Sequence, residues 1–213
     1  MPADRFVCGG RSRDRLKVAD ALSLDAKQTA LVLIDLQKGI LDRQTAPHSA
    51  SDVLARSARL AERFRAVGGV VVLVRVSYSP DGGDLLTQPT DALPMAAARE
   101  SGWDEISSAL GREPRDIVIT KNQWGAFYGT ALDLQLRRRR IKTMVIGGIA
   151  TNFGVESTAR DAFEHGYALV FVEDAMAGLS KEAHAFAVST IFPRIGRVRS
   201  TDQVLAALAS AKQ

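Results

Sequence analysis

The 213-residue chain is poor in the residues that mark several protein classes. It has one cysteine, Cys8, which excludes an intramolecular disulfide and any multi-cysteine metal site. That suits a reducing compartment, and the expected location is cytoplasmic. No apolar run approaches the roughly 18 residues needed to span a bilayer, so no membrane association is expected. The first twenty residues, MPADRFVCGGRSRDRLKVAD, carry charge and no apolar segment, unlike a secretory leader. Only three histidines are present, His48, His165 and His184, and they lie far apart along the chain.

The formal charge is +4, and the basic residues are interleaved with acids. The one run of cations, Arg137 to Arg140, closes the helical stretch TALDLQLRRRR, where positive charge complements the helix dipole. No basic stripe interleaved with aromatics is present, so nucleic acid is not an expected partner.

Apolar residues make up 46% of the chain, enough for the core of one α/β domain. Residues 1–27 lack periodicity and read as an N-terminal arm; residues 28–213 read as the domain. TALVLIDLQ (Thr29–Gln37) is a strand buried on both faces. SDVLARSARLAERFRAVGG follows with helical spacing, Ser51 or Asp52 as cap and Gly68-Gly69 as stop. VVVLVRVSY is the second strand, and a Pro/Gly/Asp-rich loop runs from Pro80 to about Pro94. DIVITK and TMVIGGI are the third and fourth strands, with GTALDLQLRRR as the helix between them. The helix VESTARDAFEHG, the strand ALVFVEDA and the helix SKEAHAFAVSTIF come next. A short strand near Arg197–Arg199 and the helix TDQVLAALASA end the chain. Strictly alternating strands and helices predict a three-layer, Rossmann-like α/β fold: a six-stranded parallel sheet with helices on both faces.

Ligands of open parallel sheets bind beyond the carboxyl ends of the strands. There the first strand delivers Asp35 and then Gln37; the second delivers Arg75 and Ser77. The third delivers Lys121, followed by Asn122, Gln123 and Trp124, and the fourth opens the turn Gly148–Gly154. Each has a purely structural reading. Asp35 caps a turn, Lys121 is a surface lysine, and Trp124, Phe127 and Tyr128 are core or interface rather than the wall of a pocket. Together they suggest more, because a charge ending an apolar strand is costly to bury unless paired, and Asp35 and Lys121 are of opposite sign and suited to satisfy one another. The turn Ala150–Gly154 leads into a helix whose first N–H groups suit an anion or oxyanion pocket. Its ordinary alternative is a strand-to-helix loop capped by Thr151 or Asn152. The glycine spacing does not match a dinucleotide-binding loop.

The stretches LVLIDLQ, ITKNQWGAFYGTALDLQLR and GGIATNFGVESTARDAFEHGY resemble the isochorismatase-like, or cysteine hydrolase, superfamily. Its members include nicotinamidases, N-carbamoylsarcosine amidohydrolases and isochorismatases. The resemblance spans roughly residues 27 to 208. It implies that Asp35 and Lys121 are the catalytic acid and lysine, and that the Ile149–Ala150 bond is the cis peptide that aims the oxyanion N–H groups of Ala150 and Gly154. It places Gly154 where the amidase branches carry their nucleophilic cysteine, and is closest to a bacterial branch that also has glycine there. A glycine forms no thioester, Ser157 and Thr158 lie a turn further into the helix, and Cys8 lies in the arm.

Isochorismatases also lack the cysteine; there the aspartate donates a proton to a vinyl ether and water completes the cleavage. The nicotinamidase metal set, an Asp-x-His with a further histidine, is missing, so no catalytic metal and no cofactor are expected. The expectation is therefore a hydrolase of a small molecule. Asp35 is its general acid–base, Lys121 its partner, and Gln37, Trp124, Phe127 and Tyr128 line the pocket. The alternative is a non-catalytic protein that binds a small anion. The resemblance also implies a homo-oligomer, a dimer or tetramer.

Overall fold

The computed structural model describes residues 22–92 and 100–209. Cys8 and most of the arm lie outside the described residues. At the end of that arm Leu24 is already buried in the core, and Asp25 caps a single 3-10 turn, Ala26–Gln28.

Six strands form one sheet: β1 (Thr29–Ile34), β2 (Val70–Val76), β3 (Ile117–Lys121), β4 (Thr143–Ile149), β5 (Ala168–Ala177) and β6 (Arg197–Arg199). Their order is β3-β2-β1-β4-β5-β6, and every neighbouring pair is parallel. The helices are α1 (Lys38–Leu41), α2 (Ala50–Ala66), α3 (Leu132–Arg138), α4 (Glu156–Glu164), α5 (Lys181–Phe186), α6 (Phe192–Ile195) and α7 (Thr201–Ala209).

The alternation of side chains along each strand divides the core in two. Ala30, Val32 and Ile34 of β1, with Met144 and Ile146 of β4, face α3, α4 and α6 through Leu132, Leu136, Ala159, Ala162 and Phe192. Leu31, Leu33 and Val145 face the opposite way, against Val53, Leu60 and Phe64 of α2 and Val204 and Leu208 of α7. Both faces of β1 are apolar because both are covered, which is why its sequence shows a continuous apolar run.

Three details depart from the sequence reading. β1 stops at Ile34, not Gln37, because Asp35 takes a left-handed backbone conformation (φ 53°) that breaks the pleat. The cap of α2 is Ser49, whose hydroxyl accepts from the Asp52 N–H at 3.1 Å; the expected cap residues already lie inside the helix. The expected helix over 180–192 is interrupted by a π-helical stretch, Ala187–Ile191, between α5 and α6. The arginine run does close α3: Arg137 pairs with Asp133 and lies over the Tyr167 ring, 4.4 Å from its centroid.

A buried ion pair fixes α2 to the segment that feeds β3. Arg65 donates to both carboxylate oxygens of Asp116, at 3.2 and 2.8 Å, and to the Leu110 carbonyl at 3.0 Å. The two side chains are 7% and 1% exposed. Removing one partner of such a pair strands the other charge in the interior. Asp116→Ala is therefore expected to cost about 3–5 kcal/mol in urea unfolding. The double variant Arg65→Met/Asp116→Leu should recover most of that loss; a double variant as unstable as the single one would contradict this account.

Candidate active site

The strand order reverses direction at β1. From β1 the chain winds out through β2 to β3, then returns to place β4 on β1's other side. Such a switch point opens a crevice beyond the carboxyl ends of the two central strands, here β1 and β4.

Asp35 leaves β1 at this crevice, and its Oδ2 accepts a hydrogen bond from the Lys121 ammonium at 2.8 Å. Lys121 ends β3, two strands away, so the backbones are separated by roughly 10 Å, twice the spacing of paired strands. A long unbranched stem crosses that gap beneath β2's end. Lys121 shares its strand face with Ile119 and so reaches across on the α3–α4 side of the sheet. Its ammonium also donates to the Gln123 carbonyl at 3.0 Å.

Both charges are withdrawn from water, with side-chain exposures of 2% for Lys121 and 8% for Asp35. Burial pushes the Asp35 carboxyl up to about 6, against the opposing pull of the Lys121 charge and hydrogen bond. The second carboxylate oxygen, Oδ1, is buried and has no hydrogen-bond partner among the described residues. One oxygen is thus fixed by the lysine, while the other remains available to exchange a proton near neutral pH.

The β4 turn closes over this pair. Gly148 has φ 123°, and a Cβ there would lie 2.1 Å from the Ile34 carbonyl oxygen, so only glycine lets β4 pass β1 at this point. The Ile149–Ala150 peptide is cis, as the resemblance implied. A π-helical turn, Thr151–Val155, follows and runs into α4. The N–H groups of Phe153 and Val155 both donate to the Ala150 carbonyl.

Gly154 faces the carboxylate: a Cβ built on it would stand 3.0 Å from Asp35 Oδ2 and 3.5 Å from the Trp124 carbonyl oxygen. The Thr158 hydroxyl donates to the Gly154 carbonyl at 2.7 Å and accepts from the Ala126 N–H at 3.1 Å. It thereby ties the turn to the loop after β3. Neither Thr151 nor Asn152 caps the helix: the Thr151 hydroxyl meets His184, and Asn152 Oδ1 is buried with no hydrogen-bond partner among the described residues.

The remaining sequence candidates divide. Gln37 is fully buried, donating to the Val76 carbonyl at 2.9 Å and accepting from the Val76 N–H at 2.8 Å. It clamps the end of β1 to the end of β2, so its amide is committed to the scaffold rather than to a ligand. Trp124 is 59% exposed and sets its ring edge-to-face on Phe153, with centroids 4.8 Å apart, at the rim of the turn.

Phe127, expected on the pocket wall, belongs to the core and stacks on His165, while Tyr128 next to it is 83% exposed. Gln123 fixes this split by donating to the carbonyls of Gly125 and Tyr128, which curls the loop and turns Phe127 inward. Arg75 and Ser77 both bond Asp104. An open groove of about 420 Å³ beside Arg75, Glu105 and Arg112 has none of Asp35, Lys121 or Gly154 in its lining. Nothing in the local spacing marks Thr158 or the Gln123 carbonyl as a support of the site. Nor does that spacing show that His48 and His184 meet, with ring centroids 6.0 Å apart.

Residues 29–203 match the Isochorismatase domain family. The chain is 52% identical over 187 residues to the uncharacterized isochorismatase family protein YecD of Escherichia coli O157:H7, covering 88% of this chain and 100% of that protein. It is 32% identical over 219 residues to the ureidoacrylate amidohydrolase RutB of Variovorax paradoxus, covering 90% of this chain and 86% of RutB. Among solved structures it resembles an isochorismatase family protein from Burkholderia thailandensis, with a TM-score of 0.85 and 47% identity. That match covers 89% of this chain and 100% of the other.

The carboxyl of Asp35 is expected to titrate near 6, far above the usual value of about 3.9. The folded state then holds this proton more tightly than the unfolded chain. Its contribution to stability is therefore greatest below pH ~4 and declines as the pH rises through about 6. Carboxyl carbon chemical shifts of selectively labelled protein report the midpoint directly, and Lys121→Met should move it higher still. A midpoint near 4 in the folded protein would show that the ion pair, not burial, dominates.

Proposed function

The chain belongs to the isochorismatase family, and from that premise we propose that it is a small-molecule hydrolase in which Asp35 acts as general acid–base and no covalent bond to the protein forms. The observation that carries this reading is the state of Asp35. It is a buried carboxyl near 6 with one oxygen held by Lys121 and the other without a partner among the described residues. A group so poised both gives and takes a proton at neutral pH, as a general acid–base must. Lys121 holds the carboxylate in place and stabilises negative charge that develops beside it. Gly154 offers no nucleophile, so water attacks the substrate directly. The N–H groups of Ala150 and Gly154 hold a substrate oxygen in this scheme.

An enol ether or an anionic cyclic substrate suits these parts: Asp35 protonates the substrate, water adds, and the leaving oxygen departs protonated. RutB is an amidohydrolase by name, and amides belong in the same substrate screen. The missing side chain at position 154 also favours a second reading, a protein that binds a small anion without converting it.

Turnover separates the two. Activity found in a screen of enol ethers and amides should fall by about 10²–10⁴ in Asp35→Asn, and the kcat–pH profile of the parent should show a limb near 6. Saturable binding without turnover, or activity unchanged in Asp35→Asn, would overturn the hydrolase reading.

A thiol introduced at the turn tests the anion pocket independently. Gly154 is not among the glycines with positive φ, so its backbone accepts a side chain, provided Asp35 and Ile34 yield by a few tenths of an ångström. In a Cys8→Ser background, Gly154→Cys is expected to lower the thiol pKa below about 8.5 and to speed alkylation by iodoacetamide relative to a free thiol. Slower alkylation in a variant of unchanged Tm would remove the anion-stabilising role of the turn.

A further inference from the structure

We propose that His48, Glu173 and His184 form a binding site for a single divalent transition-metal ion of the zinc class. One nitrogen from each imidazole and one oxygen from the carboxylate all lie within 4.8 Å of one another. Two histidines and a carboxylate are a donor set that zinc and its first-row neighbours accept, with further positions left for water. Metal–ligand bonds of about 2.0–2.1 Å place tetrahedral donors roughly 3.3 Å apart. His48 Nε2 and Glu173 Oε1 are already 3.4 Å apart. The other separations close by at most about 1.5 Å, within the reach of small side-chain rotations.

Each donor is positioned by its own local structure. His48 sits in the loop before α2, which is anchored by reciprocal backbone hydrogen bonds between Ala46 and Gly178 and by the Thr45 hydroxyl donating to the His48 carbonyl. Glu173 lies in a bulge of β5: from Ile146 to Gly148 β4 advances two residues while β5 runs from Phe171 to Met176. Bulges re-aim side chains, and this one frees Glu173 from the sheet ladder. The neighbouring Asp174 turns the other way and accepts from the N–H and hydroxyl of Thr201 at the start of α7.

His184 comes from α5, with its Nδ1 2.8 Å from the Thr151 hydroxyl. That contact occupies Nδ1, so with the proton there Nε2 keeps its lone pair for the metal. A hydrogen bond on the non-ligating nitrogen is the usual support of a metal-bound histidine. Glu173 and His48 are partly exposed, with side chains 37% and 23% accessible, which gives an ion a route in from solvent.

This is not the Asp-x-His arrangement that the sequence lacks. Its donors come from the loop before α2, from β5 and from α5. Through Thr151 it touches the turn that carries Ala150 and Gly154, yet it does not depend on any activity of that turn.

The test is direct metal binding by tag-free Cys8→Ser protein, read by competition with a chromophoric zinc chelator and by the visible spectrum of added Co²⁺. One equivalent of Zn²⁺ per chain is expected, with a Kd in the micromolar range or tighter. Glu173→Gln and His48→Asn should each weaken it at least tenfold, and Thr151→Val should weaken it by about 10–100-fold through His184 alone. Glu173 and His48 lie at the rim, so their variants keep the test alive if a His184 variant fails to fold. Affinity weaker than about 100 μM in the parent, or binding unchanged in the Glu173→Gln/His48→Asn double variant, would overturn the site.

Discussion

A lysine and an aspartate from strands two places apart meet inside the protein, and the geometry around them follows from that contact. Desolvating two charges costs several kcal/mol per ion, which their mutual attraction offsets only when they are held close. The 2.8 Å contact between Lys121 and Asp35 meets that condition. Holding it requires β3 to stand in fixed register on β2, and β2 on β1. The Gln37 clamp on Val76 and the Arg65–Asp116 pair behind β3 maintain that register from two sides. The left-handed turn at Asp35 then lifts the carboxylate out of the sheet toward the crevice.

Glycine at position 154 bears on what we propose for this pair. Beside a cysteine, an acid and a lysine would serve a nucleophile. Here a Cβ at position 154 would stand 3.0 Å from Asp35 Oδ2, and glycine supplies none, so in the proposed scheme proton transfer falls to the carboxyl itself. Burial is what would fit it for that proposed work, since a carboxyl at its ordinary value would be a weak base and, near neutral pH, almost never an acid. The apolar walls that tune it, Ile34 among them, are the same residues that close the core between the sheet and α4.

The turn after β4 is held from both ends. Thr158 ties it to the loop after β3, and Thr151 ties it to His184 on α5. An ion at His48, Glu173 and His184 would draw the loop before α2, the β5 bulge and α5 together around the second of these ties. On these two proposals the centres would share one short segment of backbone, through the Thr151 contact with His184.

Strand–helix alternation, the doubly buried β1, the charges ending β1 and β3 and the glycine in the β4 turn were all legible in the sequence. Each depends on local spacing, and a period of two or of 3.6 residues fixes which face a side chain takes inside a regular element. The lines of sight between elements were not legible. Phe127 and Tyr128 are adjacent aromatics in a loop with no period, and only the hydrogen bonds of Gln123 decide that one is core and the other exposed. Gln37 became a strand clamp because β2 lies beside β1, a neighbour that its own segment does not encode. His48 and His184 converge because the Ala46–Gly178 bridge and the β5 bulge bring distant segments to one corner. The sequence by itself determined which chemistry each strand end carries; the tertiary structure decided which of those groups meet, because strand order and loop anchoring are set by packing across the whole sheet.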